Sequence, residues 1–146
     1  MIKAIIEIPK GDSIRRYFNK SENRFVELGP IKELIPVNDG IMPVNYGFIP
    51  EAHNPNDNNA LDVLVISKES LKVGQELEVY PVAVLKREDG DDKIVAVDQT
   101  SPLTSWEEIE EDLRNLILSY FGYKSKILVI GGKDEAENYI SSLKIA

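Results

Sequence analysis

The first two thirds of the chain consist of short apolar runs separated by turn-forming residues, a pattern that predicts β-strands. The first run, Ile2–Ile8, closes at Pro9. Further strands are predicted at residues 24–28, 46–49, 63–67, 77–85 and 93–97. The Asp89-Gly90 dipeptide between the last two runs favours a β-hairpin.

The last third of the chain changes to helical spacing. Six apolar residues recur there at intervals of three and four and form one face of a predicted helix: Trp106, Ile109, Leu113, Leu116, Ile117 and Tyr120. Ser105 and Glu108 have the spacing of a capping box at its start. Residues 126–130 predict one more strand, and Asp134 with Glu137 indicates the start of a second helix. Strands followed by helices indicate the α+β class, a small antiparallel sheet or barrel with helices packed beside it.

Composition limits the kinds of protein that this chain can be. A length of 146 residues fits one domain over residues 1–146, and the chain contains no apolar run long enough to span a membrane. The net charge of −8 disfavours non-specific binding to nucleic acid or to an anionic membrane. The absence of cysteine excludes disulfides and thiolate metal sites, which suits a cytoplasmic location.

Two groups of acidic residues are candidate ligands for a hard cation. Asp57 and Asp62 flank a polar loop that leads into an apolar strand, and Asp89, Asp91 and Asp92 occupy the tip of the predicted hairpin. Carboxylate oxygens held at the mouth of a strand suit Mg²⁺. Acidic turns are more often simply solvated, so the pattern alone leaves both interpretations open. Asp62 is harder to dismiss, because a buried carboxylate is rare unless it is paired or binds a cation.

Basic and phenolic residues form a second set of candidates, which could bind an anion: Arg15, Arg16, Tyr46, Lys93, Tyr123 and Lys124. Arginine and lysine are mostly surface residues, and a lysine after a helix also suits the helix dipole. His53 is the single histidine, and no serine, cysteine or second histidine forms a pattern with it. A zinc site or a histidine-centred triad is therefore disfavoured.

Several motifs occur in one order along the chain, and together they are more specific than any of them alone. They are IIEIP around Glu7, NYGFIP around Tyr46, LDVLV around Asp62, PVAVLK before the acidic hairpin, KIVAV from Lys93, and Tyr123-Lys124. In this order, over roughly residues 5–124, the chain resembles a divergent member of the family I soluble inorganic pyrophosphatases. The resemblance implies an α+β fold: a five-stranded antiparallel β-barrel of the oligonucleotide-binding (OB) type, with additional strands and two C-terminal helices packed outside.

The resemblance also implies an activity, a cofactor and an assembly. The activity is hydrolysis of inorganic pyrophosphate to two phosphates by metal-activated water. The cofactor is Mg²⁺, with Mn²⁺ as an alternative and two or more ions bound. The assembly is a homo-oligomer, which is a hexamer in bacterial relatives.

Roles for individual residues follow from the same resemblance. The implied metal ligands are Asp57, Asp62, Asp89 and Asp91, and the short hairpin leaves Asp92 as an alternative to Asp91. The implied catalytic residues are Asp57, Asp89, Glu7, which orders metal-bound water, and the position of Asn59. The implied substrate-binding residues are Arg15, Tyr46, Lys93, Tyr123 and Lys124.

Four departures from the family pattern bear on whether activity survives. Asn59 stands where the family has an aspartate that accepts a proton from the bridging water, so the general-base position is vacated. Leu34, Met42 and Tyr17 replace an arginine, a tyrosine and an acidic residue. These changes predict reduced activity, and they favour a rival interpretation, a catalytically degenerate protein that binds metal and a diphosphate-containing ligand. A third interpretation, an oligonucleotide-binding module, fits the barrel but not the net charge of −8.

Overall fold

The computed structural model describes residues 1–54 and 59–144. Within these residues the strands are β1 (Ile2–Ile8), β2 (Ile14–Asn19), β3 (Arg24–Pro30), β4 (Asn45–His53), β5 (Ala60–Ile66), β6 (Glu76–Arg87), β7 (Lys93–Val97) and β8 (Ile127–Gly131). The α-helices are α1 (Glu111–Phe121) and α2 (Lys133–Leu143). Five strands form a closed barrel in the order β1-β4-β5-β7-β6, because β6 also pairs with β1. The predicted fold, a five-stranded barrel with additional strands and two C-terminal helices, is confirmed.

The strands of the barrel are not all antiparallel. Strand β5 pairs with β7 in parallel, whereas the other four contacts around the barrel are antiparallel. The reason is geometric: strand direction must alternate around an antiparallel ring, and an odd number of strands cannot alternate throughout. A five-stranded barrel therefore contains at least one parallel pair. Here that pair is β5–β7, which contains Asp62 and Lys93.

The central strands are buried on both faces, which explains their nearly continuous apolar sequences. Strand β7 is buried at every position. Side chains that alternate along β5 enter two different core clusters: Val63 and Val65 pack in the cluster that contains Ile140 of α2, and Leu64 packs in the cluster that contains Ile117 of α1. The two helices thus cover different parts of the barrel.

The predicted helix after Ser105 is divided in the structure. Trp106–Glu108 forms a single 3₁₀ turn, Ile109 is extended, and α1 begins only at Glu111. The capping box does not form, because Glu108 Oε1 accepts hydrogen bonds from the hydroxyls of Thr104 at 2.7 Å and Ser105 at 3.2 Å. Trp106 and Ile109 are nevertheless buried, as the apolar pattern predicted. The second helix and the predicted strand before it are confirmed as α2 and β8.

Two differences from the predicted strands affect the site. Strand β2 was not predicted, because its sequence IRRYFN has neither an apolar run nor a clear alternation, and its residues are mostly half-buried. Strand β5 begins at Ala60, so Asp62 lies inside the strand and not in the loop before it. Among the described residues, none of the helices is long and apolar enough to cross a membrane.

Candidate active site

Lys93 lies at the centre of a polar cluster in the wall of the barrel. It is the register partner of Asp62 across the parallel pair β5–β7, and its side chain is 5% exposed. The ammonium donates hydrogen bonds to Asp62 Oδ2 at 2.5 Å, to Asp91 Oδ2 at 3.0 Å and to the Tyr46 hydroxyl oxygen at 3.0 Å. An ammonium has three N–H donors, so Lys93 joins β4, β5 and the β6–β7 hairpin through all of them.

Asp91 and Asp92, which the sequence left as alternative metal ligands, make different contacts in the hairpin. Asp91 contacts Lys93, and its Oδ1 accepts a hydrogen bond from Asn54 Nδ2 at 3.0 Å. Asp92 instead accepts the backbone N–H of Arg87 at 2.8 Å and so stabilises the hairpin itself. The structure thus brings Asp91 into the cluster, and not Asp92.

Asp89 has a more exposed environment at the tip of the hairpin. Its side chain is 48% exposed, its Oδ1 accepts the backbone N–H of Asp91 at 2.9 Å, and its Oδ2 lies 3.4 Å from Arg87 Nη2. Partial burial acts to raise the pKa of Asp89, but the Asp91 N–H and the Arg87 guanidinium outweigh it and lower that pKa. Asp89 is therefore ionised and accessible beside the cluster.

Glu7 is placed by an irregularity in β1. Ile6 pairs with Gly47 whereas Ile8 pairs with Tyr46, so Glu7 is an extra residue in the strand, as in a β-bulge. The two strands approach closely here, because a Cβ on Gly47 would lie 2.1 Å from the carbonyl oxygen of Ile5. The bulge turns Glu7 towards the same region as Tyr46.

The cluster contains more buried acid than Lys93 alone neutralises. Burial, followed by the charge of Asp62, raises the pKa of Glu7 to about 7, although Glu7 accepts the Phe18 N–H at 3.1 Å. Burial also raises the pKa of Asp62, against the lowering effect of Lys93. Burial lowers the pKa of Lys93, but Tyr46 and the neighbouring carboxylates outweigh it and raise that pKa. Raised pKa values at both acids indicate that the site favours further positive charge.

Two clefts, each of about 280 Å³, meet at this cluster. The first, here the cationic cleft, is lined by Arg15, Arg16, Arg87, Lys93 and Lys124, with Tyr46 and several apolar residues. The second, here the acidic cleft, is lined by Glu7, Asp62 and Asn59, with Tyr17, Lys20 and Tyr46 among others. Tyr46 and Arg16 line both clefts, so a ligand at their junction lies between the cations of the first cleft and the carboxylates of Glu7 and Asp62 in the second.

Arg87 is a cation of the site that no sequence motif marks. Its side chain is 10% exposed, and Nη1 and Nη2 lie 3.4 Å from carboxylate oxygens of Asp91 and Asp89 respectively. Its Nε is buried and has no hydrogen-bond partner among the described residues. The one signal in the sequence was its position between the strand predicted at residues 77–85 and the hairpin acids.

Comparison with known proteins gives one consistent result. The sequence pattern of the family described as inorganic pyrophosphatase matches residues 4–143. The chain is 33% identical to the inorganic pyrophosphatase of Sulfolobus acidocaldarius, over 96% of this chain and 87% of that protein. It is 34% identical to that of Nanoarchaeum equitans, over 95% of this chain and 92% of the relative. The chain belongs to the inorganic pyrophosphatase family.

Solved structures of inorganic pyrophosphatases agree with this assignment. The crystal structure from Ehrlichia chaffeensis has a TM-score of 0.86 at 28% identity, over 97% of this chain and 92% of that chain. The structure from Neisseria gonorrhoeae has a TM-score of 0.81 at 27% identity, over 97% and 88%. The prediction that this chain is a family I inorganic pyrophosphatase is therefore confirmed.

The residues expected from the family resemblance are distributed unevenly around the site. Glu7, Tyr46, Asp62, Asp91 and Lys93 come together in the cluster or its clefts, and Arg15 and Lys124 line the cationic cleft. Tyr123 is 53% exposed and does not line either cleft as the described residues define them. Asp57 lies outside the described residues.

The four departures from the pattern of inorganic pyrophosphatases also divide between the clefts. Asn59 and Tyr17 line the acidic cleft, whereas Leu34 and Met42 line the cationic cleft. The backbone carbonyl of Asn59 accepts the N–H of Asn54 at 2.7 Å. Asn54 also donates to Asp91, so one buried asparagine links the departure at position 59 to the polar cluster.

The inorganic pyrophosphatase family implies a divalent metal, and the chemistry of the described donors fits one. Asp62 and Asp91 each place an oxygen on the same ammonium, and both are hard ligands of the kind that Mg²⁺ prefers. Within residues 1–54 and 59–144, no three acidic or histidine side chains lie close enough together to hold an ion. The described residues thus provide only part of a donor set.

Proposed function

We propose that this protein hydrolyses inorganic pyrophosphate to two phosphate ions in the presence of Mg²⁺, for which Mn²⁺ is an alternative. The observation that carries the proposal is the meeting of the cationic and acidic clefts at Tyr46 and Arg16. Pyrophosphate is a compact polyanion, so its site must neutralise charge and leave one phosphorus open to water. A cationic cleft beside an acidic one meets both requirements.

Substrate binding is assigned to the basic residues of the cationic cleft. Arg15, Lys93 and Lys124 line it, and each offers charge-assisted hydrogen bonds to phosphate oxygens. Arg87 adds a planar guanidinium that suits bidentate contact with phosphate. A role for Tyr123 in substrate binding stays a prediction.

Metal binding is assigned to Asp62 and Asp91, together with Asp89 and Asp57, and two or more ions are expected. A bound divalent ion would polarise phosphoryl oxygens and acidify a bound water. Lys93 contacts both Asp62 and Asp91, so an ion held by these carboxylates would compete with its ammonium for their oxygens. The N–H donors of Lys93 would then be available for substrate.

Positioning of the attacking water is assigned to the acidic cleft. Glu7 and Asn59 both line this cleft, on the same side of Tyr46 as Asp62. The Asn59 amide can orient a water through its carbonyl oxygen, but it has no basic oxygen to accept a proton. Glu7, Asp57 and Asp89 are the carboxylates that remain for proton transfer. A slower reaction than with an aspartate at position 59 is expected.

The rival function is binding without turnover. The side chains of Leu34 and Met42 line the cationic cleft and have no hydrogen-bond donor for a phosphate oxygen, and Asn59 lines the acidic cleft. A protein with these residues could retain the cluster around Lys93 to bind a metal and a diphosphate-containing ligand. Both functions predict binding of pyrophosphate, so only turnover separates them.

Phosphate release from pyrophosphate at high protein concentration separates the two functions. We expect Mg²⁺-dependent release that is lost in Asp62→Asn, a variant of the same shape that serves as the control for a contaminating enzyme. Equal release by both proteins would show that a contaminant produces the signal. Calorimetric binding of pyrophosphate without any release would establish the rival function.

Self-association is proposed with the same activity, as a homo-oligomer and specifically a hexamer. It is supported by the family and by β8, where Leu128 is 56%, Val129 50% and Ile130 39% exposed. Among the described strands, β8 pairs with β6 alone. Sedimentation velocity measures the assembly directly, and a monomer at micromolar concentration would contradict it. A cytoplasmic location stays a prediction.

A further inference from the structure

The cationic cleft has an apolar wall that inorganic pyrophosphate does not use. This wall, here the apolar wall, consists of Leu28, Leu34, Ile35 and Met42. Leu28 is 47% exposed, and Leu34 and Ile35 are half-buried, so part of the wall is open to a ligand. Pyrophosphate consists of phosphorus and oxygen atoms alone and gains nothing from burial against carbon. The cleft therefore presents more apolar surface than its inorganic substrate needs.

The apolar wall is held in place by the structure around it. The Ile35 N–H donates to the carbonyl oxygen of Ile31 at 2.9 Å. The buried Tyr120 hydroxyl donates to the carbonyl oxygen of Gly40 at 3.1 Å. Gly40 has a φ of +74°, and a Cβ there would lie 2.6 Å from the backbone nitrogen of Lys32, so the segment fits closely only with glycine. A preformed surface binds a ligand without the cost of ordering a loop.

An aromatic pair adjoins both parts of the cationic cleft. The rings of Tyr46 and Phe121 stack with centroids 5.8 Å apart, and both residues line the cleft. The Tyr46 hydroxyl oxygen accepts the hydrogen bond from Lys93, so the polar end of this pair adjoins the cations. The apolar face of the pair continues the apolar wall. One ligand with an anionic end and an apolar end would contact both.

The size of the cleft limits the apolar end of such a ligand. Its volume of about 280 Å³ lies just below the usual range of small-molecule sites, which is roughly 300 to 1,000 Å³. A diphosphate occupies part of that volume, so the remaining space suits a chain of a few carbons and not a nucleoside. A short apolar ester group is also small enough to pack against the leucine and isoleucine side chains of this open wall.

We infer that the cationic cleft binds diphosphate monoesters with a short apolar ester group, in addition to inorganic pyrophosphate. The diphosphate lies on the cations and the ester carbons lie on the apolar wall. The inference rests on the proposed function for the position of the diphosphate. It adds a ligand class that the charges alone do not specify.

A homologous series of ligands tests the inference directly. Dissociation constants for methyl, ethyl, propyl and butyl diphosphate are measured by calorimetry, with and without Mg²⁺. Each buried methylene strengthens binding about fourfold, so butyl diphosphate should bind at least tenfold more tightly than methyl diphosphate. The heat capacity change of binding should become more negative along the series, because that quantity reports burial of apolar surface.

Two variants test whether the dependence of affinity on chain length arises from the apolar wall. Leu34→Asn should flatten the dependence on chain length and leave methyl diphosphate binding within a few-fold of the original protein. Val73→Asn is the matched control: Val73 is 39% exposed and does not line the cationic cleft, so the dependence should persist in that variant.

The outcomes separate this inference from the proposed function. Equal dissociation constants for methyl and butyl diphosphate, in protein that binds inorganic pyrophosphate, would overturn the inference alone. The same chain-length dependence in Leu34→Asn as in the original protein would also overturn it. Phosphate release from pyrophosphate, measured on the same preparation, tests the proposed function independently. Binding of none of these diphosphates would contradict both.

Discussion

Asp62 and Lys93 are register partners across the parallel strands β5 and β7, and Lys93 Nζ lies 2.5 Å from Asp62 Oδ2. The pair is mostly buried, with side-chain exposures of 21% for Asp62 and 5% for Lys93. Because Lys93 also contacts Asp91, its single positive charge faces two carboxylates. Removal of the lysine would leave the buried Asp62 without its cation and would leave Asp91 with Arg87 alone. The lysine therefore takes part in stability as well as in the proposed binding of substrate.

The first prediction concerns Lys93→Met in protein without metal. The free energy of unfolding should fall by about 3 kcal/mol, because loss of one partner leaves buried charge without compensation. Mg²⁺ should stabilise the variant more than it stabilises the original protein, since the carboxylate oxygens of Asp62 and Asp91 no longer contact the Lys93 ammonium. Urea unfolding with and without Mg²⁺ measures both effects.

The control for this prediction is Lys126→Met, which removes the same charge from an exposed position. Its unfolding free energy should change by less than roughly 0.5 kcal/mol. If the two variants behave alike, Lys93 does not hold Asp62 and Asp91 together. Pyrophosphate affinity should fall in Lys93→Met and not in the control.

The second prediction concerns Arg87. Arg87→Met should weaken pyrophosphate binding tenfold or more, on the order of the loss of one hydrogen bond to a charged group. Arg87→Lys should restore part of the affinity, because it returns the charge without the planar fork. Calorimetry with pyrophosphate measures both. Arg24→Met is the control, since Arg24 is 60% exposed and pairs with Glu22; an equal loss there would contradict a specific role for Arg87.

The sequence predicted most of the barrel because its strands are buried and apolar. Residues 93–97 and Ile2–Ile8 were predicted with the bounds that the structure gives. Strand β2 was missed, because a hairpin that packs outside the barrel through residues such as Phe18 needs no apolar run of its own. The spacing of the predicted helix correctly indicated that Trp106 and Ile109 are buried, but it did not show that Ile109 is extended and that α1 begins only at Glu111.

The candidate site could be predicted only as far as its motifs reach. Motif order brought Asp62, Lys93 and Tyr46 into one list of candidates, and the structure shows their contacts. The sequence could not show that Lys93 pairs with Asp62, because that contact depends on the parallel register of β5 and β7. Arg87 was missed for the same kind of reason, since its burial depends on the hairpin fold.

The third prediction is the pH dependence of stability without metal. Burial raises the pKa of Glu7 from its ordinary value of 4.5 to about 7. The folded state therefore holds the Glu7 proton more tightly than the unfolded state does. The resulting stability is fully present below pH 4.5 and is lost as the pH rises through 7. Glu7→Gln should remove this loss, so urea unfolding at pH 5 and pH 8 should differ less in the variant than in the original protein.

Asp98 provides a comparison of opposite sign. Partial burial acts to raise the pKa of Asp98, but hydrogen bonds from the Ser67 side chain and from the Thr100 hydroxyl at 2.6 Å outweigh it and lower that pKa below its ordinary value of 3.8. Its contribution to stability is present above pH 3.8 and is lost as the pH falls through the lower value of the folded state. Asp98→Asn should therefore destabilise the protein equally at pH 5 and pH 8. A difference between these two pH values that persists in Glu7→Gln would show that another group carries it.

The last prediction concerns Asn59, which lines the acidic cleft with Glu7 and Asp62. Asn59→Asp should raise the rate of pyrophosphate hydrolysis tenfold or more, on the order of the lower range for general-base catalysis. The backbone should tolerate the change, because position 59 is held through its carbonyl oxygen by the Asn54 N–H and not through its side chain alone. Asn115→Asp adds the same charge to an exposed position on α1 and should leave the rate unchanged.

The rate and the stability of Asn59→Asp together distinguish the two proposed functions. A third carboxylate in the cleft adds to the repulsion around Asp62, so the variant should be less stable without metal and should gain more from Mg²⁺ than the original protein does. If it gains stability from Mg²⁺ but releases no phosphate, the metal site is intact and the chemistry is blocked elsewhere. Leu34 and Met42 in the cationic cleft are then the limiting residues, and the protein is a diphosphate-binding protein. If the original protein already turns over rapidly, a carboxylate elsewhere in the site accepts the proton, and the pH–rate profile of Asp89→Asn tests Asp89, whose side chain is 48% exposed.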